Sequence, residues 1–360
     1  MSAIRLPATS SRLPSCAPGI IAAVLLALPA LYPIASAAPA TAAAAASLPV
    51  PVVRAVASVA VPVSDMRRSL SFYHDVLGFE TVGDREVTGD AYEHLYGVFG
   101  ARVRIVTLQL GDEQLQLEQF IAPAGRSIPE DSRSNDGWFQ HVAIIVSDLD
   151  RAYALLRAHQ VRHGSTGPQL LPHWNVNAAG IGAFYFRDPD DHNLEVLHFP
   201  PGKGNAKWQN HPERLFLGID HTAIVVADTE ASLKYYRDAL GLKIAGSSEN
   251  YGVEQEHLNN VFGARLRITA LRAALGPGVE LLEYLAPRTG RQMPVDTLAN
   301  DLWSWHVTMQ ADVQRADAAV RAQHFSYVSP GPVQLDALTP LTGLLLRDPD
   351  GHATLLLQGP

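Results

Sequence analysis

The chain repeats itself, and that constrains its fold more than any other feature. Glu93-His94-Leu95 followed by Val98-Phe99-Gly100-Ala101-Arg102 recurs as Glu256-His257-Leu258 followed by Val261-Phe262-Gly263-Ala264-Arg265. Arg187-Asp188-Pro189-Asp190 with His192 recurs as Arg347-Asp348-Pro349-Asp350 with His352. A duplicated sequence folds into related units, so any residue that chemistry needs can be checked at its twin. The 360 residues are enough for two units with their own cores. A formal charge of −8 and the lack of Lys/Arg runs argue against a nucleic-acid partner, whose phosphates demand a basic face.

Each half divides again. An apolar β-type run leads into an aspartate that opens a helix at Asp65, Asp148, Asp228 and Asp312. Aspartate suits that place because its carboxylate accepts free backbone N–H groups and offsets the helix dipole. Apolar residues then recur at helical spacing, as in Leu70, Tyr73 and Leu77, or Leu233, Tyr236 and Leu240, with Gly78 and Gly241 closing the helices. Shorter β-type runs follow each helix. The spacing predicts an α+β chain of four βαβββ modules in two tandem halves: 53–123 and 138–200 in the first domain, 214–287 and 302–360 in the second, with a 201–213 linker. The linkers within the two halves share Gly-Arg at one end (Gly125-Arg126, Gly290-Arg291) and Asn-Asp-x-Trp at the other (Asn135 to Trp138, Asn300 to Trp303).

The N-terminus reads separately. Arg5 and Arg12 precede an apolar run from Gly19 to Leu31, and Ala35-Ser36-Ala37 forms a cleavage box. This predicts a signal peptide over 1–37, a flexible leader over 38–52, and an exported, periplasmic or secreted protein with no membrane attachment after cleavage. An uncleaved anchor is the bland alternative. Cys16 is the single cysteine and precedes the apolar run, so the mature chain has no disulfide and no thiolate metal site. Any metal must be held by His, Asp or Glu.

Modules that begin on a His-bearing strand and end on a Glu-bearing one, with the Asp-Pro-Asp-Gly-His turn of Asp348 to His352, resemble the vicinal oxygen chelate superfamily. That superfamily includes glyoxalase I, bleomycin-resistance proteins, methylmalonyl-CoA epimerase and extradiol dioxygenases. The resemblance runs from about Arg54 to the C-terminus. It implies that modules pair into two half-open β-barrels with helices outside, each able to grip one divalent metal with ligands from the first and last strands of each module.

Mapped onto this chain, the first-strand position lies seven residues before the helix-opening Asp and falls on Ser58, His141 and His221. The last-strand position gives Glu118, Glu195 and Glu283, with Leu355 in the fourth module. His306 stands only six residues before Asp312, and a one-residue slip turns a strand side chain to the other face. If the second and third modules pair, His141, Glu195, His221 and Glu283 form one complete metal set and the other barrel is nearly bare. If neighbours pair, Glu118 and His306 join the ligands instead. A lone His or Glu on a strand is more often an ordinary hydrogen-bonded residue. Matched His and Glu in successive repeats favour a metal, with Fe, Mn, Ni, Zn and Mg all compatible. By resemblance Glu195 or Glu283 is the catalytic base.

The chemistry implied is lyase or isomerase work on a small oxygen-bearing substrate chelated through its oxygens. An extradiol Fe(II) dioxygenase is an alternative. It is weakened by Leu355, where the ring-cleaving pattern wants a carboxylate, and by Asp191 in the turn before Glu195. A non-catalytic bleomycin-resistance-like binder is the second alternative. The expected assembly is a monomer or homodimer.

Overall fold

A computed structural model of the chain describes residues 51–336 and 340–359. The expected signal peptide and nearly all of the expected leader lie outside the described residues. The first module comprises β1 (Val53–Pro62), α1 (Met66–Asp75), β2 (Glu80–Thr88), α2 (Asp90–Tyr96), β3 (Arg102–Leu110) and β4 (Glu113–Ala122). The second comprises β5 (Gln140–Val146), α3 (Leu149–Ala158), β6 (Arg162–His163), β7 (Gln169–Leu170), β8 (Gly182–Arg187) and β9 (Asn193–His198). The third comprises β10 (Phe216–Val226), α4 (Thr229–Leu233) running on as a wide turn over Lys234–Ala239, β11 (Lys243–Tyr251), α5 (Val253–Asn259), β12 (Arg265–Arg272) and β13 (Gly278–Ala286). The fourth comprises β14 (His306–Ala311), α6 (Val313–Ala322), β15 (Ser326–Tyr327), β16 (Val333–Asp336), β17 (Leu341–Arg347) and β18 (Ala353–Gln358). Asp65, Asp148, Asp228 and Asp312 each accept a backbone N–H at the start of the following helix.

The modules cross. Two nine-stranded sheets form, ordered β15-β17-β18-β14-β1-β4-β3-β2 and β11-β12-β13-β10-β5-β9-β8-β6. The first and fourth modules make an outer sheet joined by the antiparallel pair β1–β14, and the second and third make an inner sheet joined by β10–β5. Both sheets are open, and each curves into a cup.

Period-2 alternation explains why halves and sheets do not coincide. In β1, Val59 and Val61 turn away from the cup, as do Val142 and Ile144 in β5, and these meet in one core that also holds Tyr73 of α1 and Leu156 of α3. The third and fourth modules share a second such core around Tyr236, Leu281, Val313 and Leu356. Each half of the chain is thus held by a helical core that lies on the convex faces of two different sheets. The concave faces carry separate clusters, around Tyr185 and Leu282 in the inner cup and around Tyr96 and Phe120 in the outer.

The repeated linkers clasp each other. Arg126 forms a bidentate pair with Asp301, at 2.9 and 2.6 Å, and lies over the Trp303 ring. Arg291 makes the reciprocal pair with Asp136, at 3.1 and 2.6 Å, and lies over Trp138. A Cβ on Gly125 would stand 1.7 Å from the Asn300 carbonyl oxygen, and one on Gly290 1.6 Å from that of Asn135, so backbone contact dictates both glycines. Trp138 and Trp303 pack together within this clasp.

Candidate metal centre

Three side chains meet on the concave face of the inner sheet: His141 from β5, Glu195 from β9 and His221 from β10, with one ligand atom of each inside 4.8 Å of the others. The register explains the meeting. β5 and β10 run antiparallel with Ala223 opposite His141 and His221 opposite Ala143, so both imidazoles rise from the same face near a local two-fold axis. Glu195 stands beside Ala143 in the parallel pair β5–β9. At the related place in β10–β13, Ala223 stands beside Glu280. Glu280 Oε2 lies 3.5 Å from His221 Nε2, and Glu195 Oε2 lies 3.2 Å from His141 Nε2 and 3.8 Å from His221 Nε2. The quartet on this face is therefore His141, Glu195, His221 and Glu280.

Glu283, expected as the fourth ligand, stands elsewhere. In β13, Glu280, Leu282 and Tyr284 face the cup, while Val279, Leu281 and Glu283 face the helices. Glu283 accepts the backbone N–H of Thr229 at 3.2 Å and its hydroxyl at 2.7 Å, at the start of α4. The strand pairing also fixes the register of the third module. Leu108 pairs with Leu115 and the matched Leu271 with Val279, so the hairpin of the third module is one residue longer. Glu118 is then matched by Leu282, and Glu280 by Gln116.

The donors fit a cation. His141 is buried at 2% exposure, and neither ring nitrogen has an aligned hydrogen-bond partner within the protein, a costly state that coordination would relieve. His221 directs Nδ1 to Asp220 Oδ2 at 3.0 Å, leaving Nε2 toward the cluster, which is the usual carboxylate–imidazole–metal arrangement. Asp220 is held in turn by Trp208 Nε1 at 3.1 Å and Arg272 at 2.7 Å. Neither Asp220 nor Glu280 is legible as a site residue from strand alternation. Asp220 occupies a bulge between Ile219 and His221, and the bulge brings neighbouring side chains into mutual reach.

Burial opposes charge on His221, but Glu280, Asp220 and Glu195 overcome it and raise its pKa to about 9. Burial likewise opposes charge on Asp220, yet its bonds to His221 and Arg272 hold it well below the usual carboxylate range. Burial, with Glu195 beside it, keeps the Tyr185 phenol neutral far above its ordinary range.

The quartet opens into a cleft of about 220 Å³. Leu171, Ile181, Phe199, Leu258 and Ile268 supply apolar walls, and the amides of Asn250 and Gln255 face the same space. Asn175, Asn250, Gln255 and Asn259 are linked amide to amide at 2.6, 3.0 and 2.5 Å. Among the described residues lining the cleft there is no Lys or Arg.

The remaining candidates lie in the outer cup. His306 pairs with Ala60 as His141 does with Ala223, so it points inward despite its shorter spacing to Asp312. Its Nε2 lies 3.9 Å from Glu118 Oε1, and Glu118 accepts the Tyr96 hydroxyl at 2.9 Å. Ser58 and Leu355 complete a wall without further ligands. The crossed pairing rather than the neighbour pairing therefore holds, and Glu118 and His306 do not join the quartet. His192 and His352 brace their turns through Asp188 and Asp348, at 2.9 and 3.2 Å.

Comparison with known proteins agrees with this architecture. The family model described as Glyoxalase/Bleomycin resistance protein/Dioxygenase superfamily matches residues 55–196 and again 218–354. A 2-epi-5-epi-valiolone epimerase from an Actinomyces species is 31% identical over 153 residues, which is 41% of this chain and 81% of that protein. Glyoxalase I from Zea mays superposes with a TM-score of 0.57 at 15% identity, over 85% of this chain and 92% of that one. A mutant of the same Zea mays enzyme superposes with a TM-score of 0.56 at 16% identity, over 85% and 94%. With both repeats matched across most of its length, the chain belongs to the glyoxalase, bleomycin-resistance and dioxygenase superfamily.

Proposed function

We propose that the protein is a metal-dependent isomerase of the epimerase kind, acting in the inner cup on a small, uncharged substrate rich in oxygen. The convergence of His141, Glu195, His221 and Glu280 at the floor of one cleft carries this reading. A divalent cation held there would polarise a chelated carbonyl and stabilise the charge left when a neighbouring C–H is deprotonated. The protein's own part is to place carboxylates on either side of that carbon. Glu195 is nearly sealed, with its side chain 5% exposed, whereas Glu280 is 21% exposed and fronts the cleft. Glu280 Oε2 is therefore the better-placed atom to take and return a proton, with Glu195 bound more firmly as a ligand.

The walls support the substrate class. A carboxylate or phosphate entering this space would meet three carboxylates and no Lys or Arg. The outer cup carries Val87, Tyr92 and Tyr96 at the places of Asn250, Gln255 and Asn259, so the amides belong to the working cup alone. Amides that retain spare donors and acceptors suit hydroxyl groups. The epimerase activity in the name of the Actinomyces relative points the same way.

The test is metal analysis after repletion, together with ¹H NMR of 2-epi-5-epi-valiolone in D₂O. Near-stoichiometric metal is expected, with solvent deuterium entering the substrate, and Glu280→Gln should retain metal but lose exchange. Metal below about 0.2 equivalents would leave a passive ligand-binding cup. A second reading rests on the nearest three donors, two His and one carboxylate, which is the set used by non-haem Fe(II) oxygenases. O₂ consumption with a catechol on the iron-loaded protein would favour it. Export belongs to the same proposal, and N-terminal sequencing of the extracytoplasmic protein tests for removal of residues 1–37.

A further inference from the structure

A second cavity, of about 540 Å³, lies at the far end of β10, bounded by the linker after β13 and the turn between β17 and β18. It shares no lining residue with the metal cleft. Its volume falls within the usual range for small-molecule sites.

The internal repeat shows what was removed to open it. At the matched turn of the second module, Asp190 is capped by the Ser64 backbone N–H at 2.9 Å, by the Ser64 hydroxyl at 2.6 Å and by Arg68. Arg162 pairs with Asp191 alongside. Matching the helix-opening Asp65 with Asp228 turns Ser64 and Arg68 into Ala227 and Ala231. Matching the strand pairs Arg162–Arg187 and Ser326–Arg347 turns Arg162 into Ser326, and the turn replaces Asp191 with Gly351. Four polar side chains are thus pared to small ones around a shared frame.

Asp350 loses its charged partner in the process, and Arg347, like its twin Arg187, meets carbonyl oxygens rather than a carboxylate. Asp350 retains only the Ala227 N–H at 3.1 Å and a long contact with Ser232 at 3.4 Å. Arg347 donates to the carbonyls of Gly351 at 2.6 Å and Thr297 at 2.8 Å, with no carboxylate oxygen of the described residues in salt-bridge contact. Burial pushes the Asp350 carboxyl above its ordinary range and the Arg347 guanidinium below its own, the direction expected of charges short of counter-charge. The linker adds a further cation. Pro287-Arg288-Thr289-Gly290 is one residue longer than its twin Pro123-Ala124-Gly125, and the extra length brings Arg288 to the cavity wall, where it also reaches Glu283 Oε1 at 3.3 Å. Met293 and Val225 supply apolar surface.

We propose that this cavity binds a small dipolar molecule of the amino-acid class, with its carboxylate at Arg288 and Arg347, its ammonium at Asp350 and its apolar body against Met293 and Val225. The site is independent of the metal centre and does not rest on the isomerase reading.

Isothermal titration of the purified full chain with three probes tests it: L-phenylalanine, 3-phenylpropionate lacking the ammonium, and 2-phenylethylamine lacking the carboxylate. Phenylalanine is expected to bind, with each single-charge probe weaker by about tenfold or more. Arg288→Ala, at a side chain 65% exposed, is expected to weaken phenylalanine by about tenfold without unfolding the protein. Ser326→Arg, which restores the filling arginine of the twin site, should abolish binding. His221→Ala should leave it unchanged, which separates this site from chelation at a metal. No heat from phenylalanine, equal binding of a single-charge probe, indifference to Arg288→Ala or Ser326→Arg, or loss in His221→Ala would each overturn the proposal.

Discussion

The two cups share a backbone and differ in a handful of side chains. Where the inner cup has Asp220, His221 and Glu280, the outer has Ala57, Ser58 and Gln116, and Glu195 is matched by Leu355. The second imidazole of the inner cup, His141, has its counterpart in His306 of the outer. The outer cup keeps one carboxylate, Glu118, tied to Tyr96, where the inner cup has Leu282. His306 is pushed below the ordinary histidine range by burial, which Glu118 only partly offsets. His221, equally buried, is held at about 9 because three carboxylates face it. The comparison teaches that the fold supplies convergent strand positions, and the number of acids at those positions decides whether a buried imidazole is starved of charge or primed for a cation.

The largest effect expected from breaking this contrast is on metal affinity. His221→Ala should abolish tight binding, whereas Ser58→Ala and His306→Ala should leave it intact, as measured by competition with a chromophoric chelator. Equal affinities in all three would dissolve the difference between the cups.

Next comes pH dependence in the metal-free protein, where the two histidines act with opposite sign. The folded pKa of His221 is above its ordinary 6.5, so its stabilisation is full below 6.5 and fades as pH rises toward about 9. It is worth roughly 3 kcal/mol by the size of that shift. The folded pKa of His306 is depressed, so stability is lost as pH falls below 6.5, where the unfolded chain takes up a proton that the buried ring resists. Urea titrations at several pH values should show His221→Asn weakening the protein chiefly on the acid side of 9, and His306→Asn relieving its acid sensitivity.

A smaller effect sharpens the role of the bulge. Asp220→Ala is expected to lower metal affinity by about 10–100-fold through loss of the hydrogen bond that orients His221. The same measurement on Ala57→Asp should show no gain, because Ser58 offers no imidazole. Smallest of all, Tyr96→Phe leaves the Glu118 carboxylate short of a donor and should cost about 1–3 kcal/mol in denaturant titration without touching metal content.

Much of this was legible in the chain. The recurrence of Val-Phe-Gly-Ala-Arg and of Arg-Asp-Pro-Asp marks the duplication, and the four aspartates before apolar periodicity mark the four helices that they cap. His141, Glu195 and His221 were readable because they fall on the first- and last-strand positions that the family resemblance marks as ligands. Glu283 misled because it stands one residue beyond Leu282, the true match of Glu118, and one residue along a strand turns the side chain to the helix side. The inward direction of His306 was undecidable from spacing to Asp312, since only pairing with Ala60 fixes the face.

The sequence by itself determined local matters: where helices begin, which alternate residues seek apolar cover, and that the linkers come as a matched pair. These follow from propensity, capping and periodicity, each of which acts over a few residues. Tertiary structure decided which modules share a sheet, that Arg126 and Arg291 reach across to each other's linker, that Asp220 bulges against His221, and that Glu280 rather than Glu283 enters the cup. Those outcomes depend on strand register between segments far apart in the chain, and a shift of one residue there exchanges the buried face for the other.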